Sequence, residues 1–317
     1  MNLQTELAPR HKSGLLLKNP VITASGTFGY GVEYARIAEI QRLGAIVCKG
    51  TTLHARSGNP HPRTLETSSG MLNAIGLQNP GIHVVIDRYA SIWETWQTPV
   101  IVNIAGETIR EFAQLAALLE GVPGVAGIEV NVSCPNVQAG GEVFGASAET
   151  VANVTTAVRR ETTLPVIVKL SPNSGDARPT ALAAASSGAD AIALINTITG
   201  MGIDIKTRRP ALAHGTGGLS GPAIKPIALR MVCEVARELR FSYPHVPVIG
   251  TGGITGARDA LEFIMAGASA IQIGTINFVN PHAGVEIIEG IEEFLRKEGV
   301  EDIGEIVGAA LVEVPDH

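Results

Sequence analysis

Apolar residues fall into eight short runs along the chain, each closed by polar residues or glycine: Pro20–Ser25, Ala45–Lys49, Val100–Ala105, Gly127–Val132, Val166–Ser171, Ala191–Asn196, Val246–Gly250 and Ala270–Gly274. Most are β-branched and continuous rather than alternating, the pattern of strands covered on both faces. Between them lie stretches of helical periodicity at Glu33–Leu43, Ile82–Trp96, Ile109–Glu120, Ala148–Thr162, Pro179–Ser187, Ala223–Leu239 and Ala257–Ala266, with a last helix at Ala283–Lys297. Eight strands alternating with eight helices, without a linker-like segment, predict one α/β domain over residues 1–317, a closed (β/α)8 TIM barrel. A doubly wound open sheet is the alternative, but it needs no eight evenly spaced strands.

Two segments interrupt the pattern. His54–Asn79 is long and rich in Gly, Asn and Pro, and Thr197–Ser220 carries Thr199-Gly200-Met201-Gly202 and His214-Gly215-Thr216-Gly217-Gly218. Both follow the C-terminal ends of strands, the catalytic face of such barrels, and loops this long are functional more often than not. They are expected to be a lid and a ligand cradle; ordinary surface insertions are the bland reading.

Composition narrows the classes. Of 317 residues 45% are apolar and 17% charged, so a large core is available and disorder is excluded. A formal charge of -6 leaves no basic footprint for nucleic acid. Three widely spaced cysteines (Cys48, Cys134, Cys233) argue against a disulfide framework and against a metal site. Cys48 and Cys233 read as core packing. Met1 to Lys18 does not resemble a signal peptide, and no apolar run is long enough to span a membrane, so a soluble cytoplasmic protein is expected.

The richest stretch is Asn131-Val132-Ser133-Cys134-Pro135-Asn136. It sets a thiol where a buried strand gives way to a loop, with amides on either side and a Gly-rich segment (Gln138 to Gly145) following. A lone cysteine is usually a small buried hydrophobe; the polar flanks favour a chemical role. Lys49, Asn103, Asn131, Lys169 and Asn196 also stand near strand ends. Singly, each is a core residue with a satisfied partner; together they predict a ring of donors suited to a planar, electron-rich ligand. Gly250-Thr251-Gly252-Gly253-Ile254 after the seventh strand and Gly274-Thr275 after the eighth match the common phosphate site of this fold, where glycine exposes backbone N–H groups. A monophosphate is implied, since no G-x-G-x-x-G opens a βαβ unit. Flavin mononucleotide fits such a site, with an ammonium stabilising the reduced ring and Cys134 as base on a stacked substrate. Two other classes stay open: a barrel aldolase forming a Schiff base on Lys169, and a scaffold or phosphate sensor without chemistry.

The chain also resembles a known family, dihydroorotate dehydrogenase, in its class 1B, NAD-linked catalytic-subunit form, along nearly its whole length. The resemblance rests on Lys49-Gly50-Thr51-Thr52, Asn73-Ala74-Ile75-Gly76-Leu77-Gln78-Asn79-Pro80-Gly81, Asn131 to Asn136, Val168-Lys169-Leu170-Ser171, Ile195-Asn196-Thr197, Gly217-Gly218-Leu219-Ser220-Gly221 and Gly252-Gly253-Ile254. It implies oxidation of (S)-dihydroorotate to orotate in pyrimidine (UMP) biosynthesis, with Cys134 as general base at C5 and hydride passing from C6 to FMN. It implies substrate contacts from Lys49, Asn73, Ala74, Ile75, Gly76, Leu77, Asn131, Asn196 and Thr197. FMN would be held by Ser25, Lys49, Gly50, Asn103, Asn131, Lys169 and Ile195, and its phosphate by Gly221, Gly252, Gly253, Gly274 and Thr275. Electrons would pass to NAD through a partner subunit carrying FAD and a 2Fe-2S cluster, around a homodimer core of a heterotetramer. The fumarate-linked class 1A enzyme is the runner-up within the family.

Overall fold

A computed structural model describes residues 1–133, 145 and 147–311. Cys134 lies outside the described residues. Eight parallel strands close into a barrel: β1 (Val21–Thr23), β2 (Ala45–Val47), β3 (Val100–Ile104), β4 (Val125–Asn131), β5 (Val166–Lys169), β6 (Ala191–Leu194), β7 (Val248–Thr251) and β8 (Ala268–Ile273). They run in sequential order, with β8 pairing β1 to complete the circle. The expected (β/α)8 barrel is therefore the fold.

The strands look continuously apolar because both faces are covered, yet a period of two is hidden in them. In β3, Val100, Val102 and Ile104 pack outward with the helices, while Ile101 belongs to a separate inner cluster. The same split puts Val166 and Val168 outside and Ile167 inside, and Ile271 and Ile273 outside with Ala270 inside. The inner cluster also takes in Ile22, Val47, Ala193 and Ile249. Its floor is the N-terminal hairpin, Thr5–Glu6 paired antiparallel with Leu16–Leu17, whose Leu7, Leu15 and Leu17 join it. Stepping two residues up from this apolar layer reaches Asn103, Lys169, Thr251 and Gln272. The barrel is thus greasy at its base and polar at its mouth.

The helices are α1 (Ile82–Trp93), α2 (Ile109–Leu119), α3 (Ala148–Glu161), α4 (Arg178–Ser186), α5 (Lys225–Ser242), α6 (Ala257–Met265), α7 (Ile276–Val279) and α8 (Ala283–Glu298). Their starts are written locally: Thr108 accepts the Glu111 N–H at 3.1 Å before α2, and Ser147 accepts the Thr150 N–H at 3.2 Å before α3. The buried face of α3 is Val151, Val154, Thr155 and Val158, one side of a 3.6-residue period.

One expectation fails. Glu33–Leu43 is not a helix; isolated turns lead into a short 3-10 turn at Ile40–Arg42. Tertiary contacts outweigh its helical pattern: Glu33 is drawn back to accept the Tyr30 N–H at 2.9 Å, and the Tyr34 ring stacks on Phe28 at 4.0 Å. Trp93 of α1 donates to the Tyr30 carbonyl at 3.0 Å, fixing the same bend. The two long insertions, in turn, are not plain loops. Ile198–Met201, Thr216–Ser220, Gly70–Asn73 and Thr64–Thr67 pair antiparallel, in that order, as a four-stranded sheet. Each insertion supplies one hairpin, so neither shows a complete sheet by itself.

Candidate active site

The residues at the mouth meet in three groups. The first lies between the two insertions. Asn73 donates to the Gly218 carbonyl at 3.4 Å, and a Cβ on Gly218 would stand 2.0 Å from Thr197 Oγ1, so only glycine fits where these strands cross. Asn196 donates to Asn131 Oδ1 at 3.2 Å and accepts from the Thr197 N–H at 2.9 Å. The backbone of Ala74, Ile75 and Gly76 is held by Asn59: its side chain donates to the Ala74 carbonyl at 2.9 Å and its N–H to the Ile75 carbonyl at 3.0 Å. Leu77 follows with a left-handed φ of 52° and its carbonyl fixed by Asn79 at 2.7 Å. Asn59 carried no expectation, although an amide in a long Gly- and Pro-rich insertion is the kind of residue that ties such backbone down.

Lys49 stands two residues past the end of β2. It is half-buried, and its ammonium has no hydrogen bond or ion pair among the described residues. Burial holds its pKa below the ordinary lysine value, the nearby Arg63 charge pushes the same way, and Glu33 opposes them. Neither Lys49 nor Arg63 forms an ion pair among the described residues, which leaves room for an anionic ligand.

The second group is buried. Glu129, fully enclosed in β4, accepts from Asn103 Nδ2 at 2.6 Å and from Gln272 Nε2 at 2.5 Å. Gln272 Oε1 in turn accepts from Lys169 Nζ at 2.8 Å and from Thr251 Oγ1 at 3.0 Å. Lys169 Nζ lies 3.9 Å from Glu129 Oε1. Burial lowers the Lys169 pKa and the Glu129 charge works against that. Lys169 is therefore half of a compensated buried pair rather than a bare cation, which is how an enclosed charge is tolerated. Strand register pairs Asn103 with Glu129 and Asn131 with Lys169, so Asn103 sits one inward step deeper than Asn131. The expected ring of five donors at one height is instead two tiers. Glu129 and Gln272 carried no expectation; the signal was a lone carboxylate and a lone amide inside otherwise apolar runs.

Asn103 Oδ1 is buried and unpartnered. A Cβ on Gly50 would stand 3.0 Å from that oxygen and 3.2 Å from Leu77 Cδ2, so Asn103, Gly50 and the Leu77 turn converge on one spot. An orphan acceptor beside a residue without a side chain is a place made for a ligand N–H.

The third group lies across the barrel at β7 and β8. Gly253 has φ +72°, and a Cβ there would come within 2.9 Å of the Gly221 carbonyl. Gly252 backs onto Ile195, whose Cγ1 would be 3.5 Å from its Cβ. Thr275 Oγ1 and Ser220 Oγ are 2.8 Å apart, tying the Gly274-Thr275 turn to the Gly221 turn. Ala24, next to Ser25, donates to the Ile273 carbonyl at 2.7 Å and brings Ser25 to the same rim. Lys225 adjoins the cradle, but its ammonium is taken by Asp259 at 2.6 Å and Glu262 at 2.8 Å. A phosphate here would be gripped by backbone amides. A glycine cradle at β7 and β8, with an orphan acceptor at β3 across the barrel, suits a ring on a phosphate tether.

A family model described as dihydroorotate dehydrogenase matches residues 10–295. The chain belongs to the dihydroorotate dehydrogenase family. It is 54% identical over 292 residues, 92% of this chain and 94% of the relative, to the dihydroorotate dehydrogenase B (NAD(+)) catalytic subunit of Desulforamulus reducens. The protein of the same name from Thermoanaerobacter pseudethanolicus is 53% identical across 99% of this chain and all of its own length. That from Porphyromonas gingivalis is 50% identical across 95% and 96%. The Lys169 ammonium, the candidate Schiff-base former, is already engaged by Gln272. Among the described residues no helix is long and apolar enough to cross a membrane.

Proposed function

We propose that this chain oxidises (S)-dihydroorotate to orotate in pyrimidine biosynthesis, as the catalytic subunit of an NAD-linked enzyme. The observation that carries the reading is the pairing of two half-sites on one rim: a half-buried lysine without an ion pair, and a glycine cradle across from an orphan acceptor. Flavin dependence accompanies the family; the choice of FMN rests on a cradle shaped for a single phosphate. When bound, FMN would supply the two-electron acceptor for the hydride that leaves the substrate.

The chain's own residues do the rest. Lys49 receives the substrate carboxylate, assisted by the Arg63 charge. Asn73, Asn131, Asn196 and Thr197 meet the pyrimidine amides, and the backbone of Ala74 to Leu77 walls the substrate in. Cys134 removes the proton at C5 as hydride leaves C6. Asn103, Gly50, Ile195 and Ser25 would line the ring, Lys169 would supply positive charge to it, and Gly221, Gly252, Gly253, Gly274 and Thr275 would hold its phosphate. Residues 1–317 act as one FMN-binding barrel unit in the cytoplasm, at the homodimer core of a heterotetramer.

The three cysteines are fewer than the four that hold a 2Fe-2S cluster, so electron delivery to NAD calls for a second subunit carrying FAD and such a cluster. The test is reconstitution. The protein alone should reduce an artificial acceptor with dihydroorotate, and reduce NAD only when that subunit is added. NAD reduction by the chain alone would refute the partner, and fumarate reduction at a comparable rate would favour the fumarate-linked class.

A further inference from the structure

Glu129 sits fully enclosed in the barrel and is no expected ligand contact itself, yet it bonds Asn103, which is one, and Gln272, which holds Lys169. An ionised carboxylate only accepts hydrogen bonds. Both amides bound to it must therefore turn their NH2 groups inward: Asn103 Nδ2 at 2.6 Å and Gln272 Nε2 at 2.5 Å. Each amide then has its oxygen left for the opposite side. Gln272 Oε1 lands on Lys169 Nζ at 2.8 Å, and Asn103 Oδ1 is left buried and unpartnered beside Gly50. One buried charge thus sets the direction of two amides and, through Gln272, the position of an ammonium.

We propose that Glu129 is a positioning residue that fixes the donor and acceptor polarity of the flavin face, compelling Asn103 to present an acceptor to a ring N–H. The inference rests on the flavin reading above. The ligand group it requires is an imide-type N–H, which flavin carries at N3. Were Glu129 uncharged, the Asn103 amide could reverse and offer NH2 instead, meeting that N–H donor to donor. The cost of leaving a buried polar group without its partner makes the orientation matter.

The experiment compares apoprotein affinity for FMN and for N3-methyl-FMN, which lacks the N–H. Wild type should bind the methylated flavin roughly tenfold more weakly, the worth of about one buried hydrogen bond. In Glu129→Gln the discrimination should shrink to about twofold or less, and the flavin midpoint potential should shift as Lys169 loses its anchor. Asn103→Ala should shrink the discrimination equally, and the double variant should add nothing further. Wild-type discrimination in either single variant overturns the proposal, and so does an unchanged potential in Glu129→Gln. Should Glu129→Gln fail to fold, retained discrimination in Asn103→Ala still refutes it. Failure of wild type to bind either flavin would instead remove the flavin reading, a distinct result.

Discussion

Replacing Gly253 by alanine isolates the phosphate end of the site from the ring end. The residue holds φ +72°, a left-handed conformation that costs an L side chain about 1–2 kcal/mol. The added Cβ would also sit 2.8 Å from Lys225 Cβ and 2.9 Å from the Gly221 carbonyl, closer than real contacts allow. The Gly221 and Gly253 turns must then part, drawing backbone amides off the phosphate. A hydrogen bond to a charged group is worth about 1.5–3 kcal/mol, so losing one amide should weaken FMN roughly 10- to 100-fold. Riboflavin has the same ring and no phosphate, and its affinity should change by less than about threefold. Fluorescence titration of the apoprotein with both flavins reads the difference. Equal losses for the two, or an FMN affinity within about twofold of wild type, would refute the cradle.

Cys134→Ala should slow flavin reduction by dihydroorotate by roughly 10²–10⁴-fold in stopped flow while FMN stays bound; an unchanged rate would dismiss the cysteine as base. Orotate affinity should depend on pH through Lys49. Burial and Arg63 hold its pKa below the ordinary lysine value, so its charge, and with it carboxylate binding, is present at neutral pH and lost on the way up to about 10.4. Titrating orotate binding against pH should show that alkaline decline in wild type and not in Lys49→Met; a flat wild-type profile would count against the contact.

Much of this was legible in the chain. Strands that must be covered on both faces leave an apolar run, and all eight runs are barrel strands. The glycines at 252 and 253 were expected to expose backbone N–H groups to a phosphate, and the structure packs Gly253 against the Gly221 carbonyl. What stayed hidden depends on partners distant in sequence. Glu129 lies inside an apolar run, and its meaning appears only when Gln272, 143 positions away, is found against it. Lys169 looked like a lone cation for the same reason. The four-stranded sheet needs hairpins from both insertions, so neither insertion shows the whole sheet alone. The helical pattern at Glu33–Leu43 is real, but Glu33 and Tyr34 gain more from Tyr30 and Phe28 than a short helix offers.

The most direct measurement is anaerobic mixing of the purified, flavin-loaded chain with (S)-dihydroorotate, following flavin absorbance and orotate together. The flavin released on denaturation should be FMN, its absorbance should bleach on mixing, and orotate should appear in equal amount. A flavin that stays oxidised at saturating dihydroorotate, or bleaching without orotate, would contradict the assigned reaction.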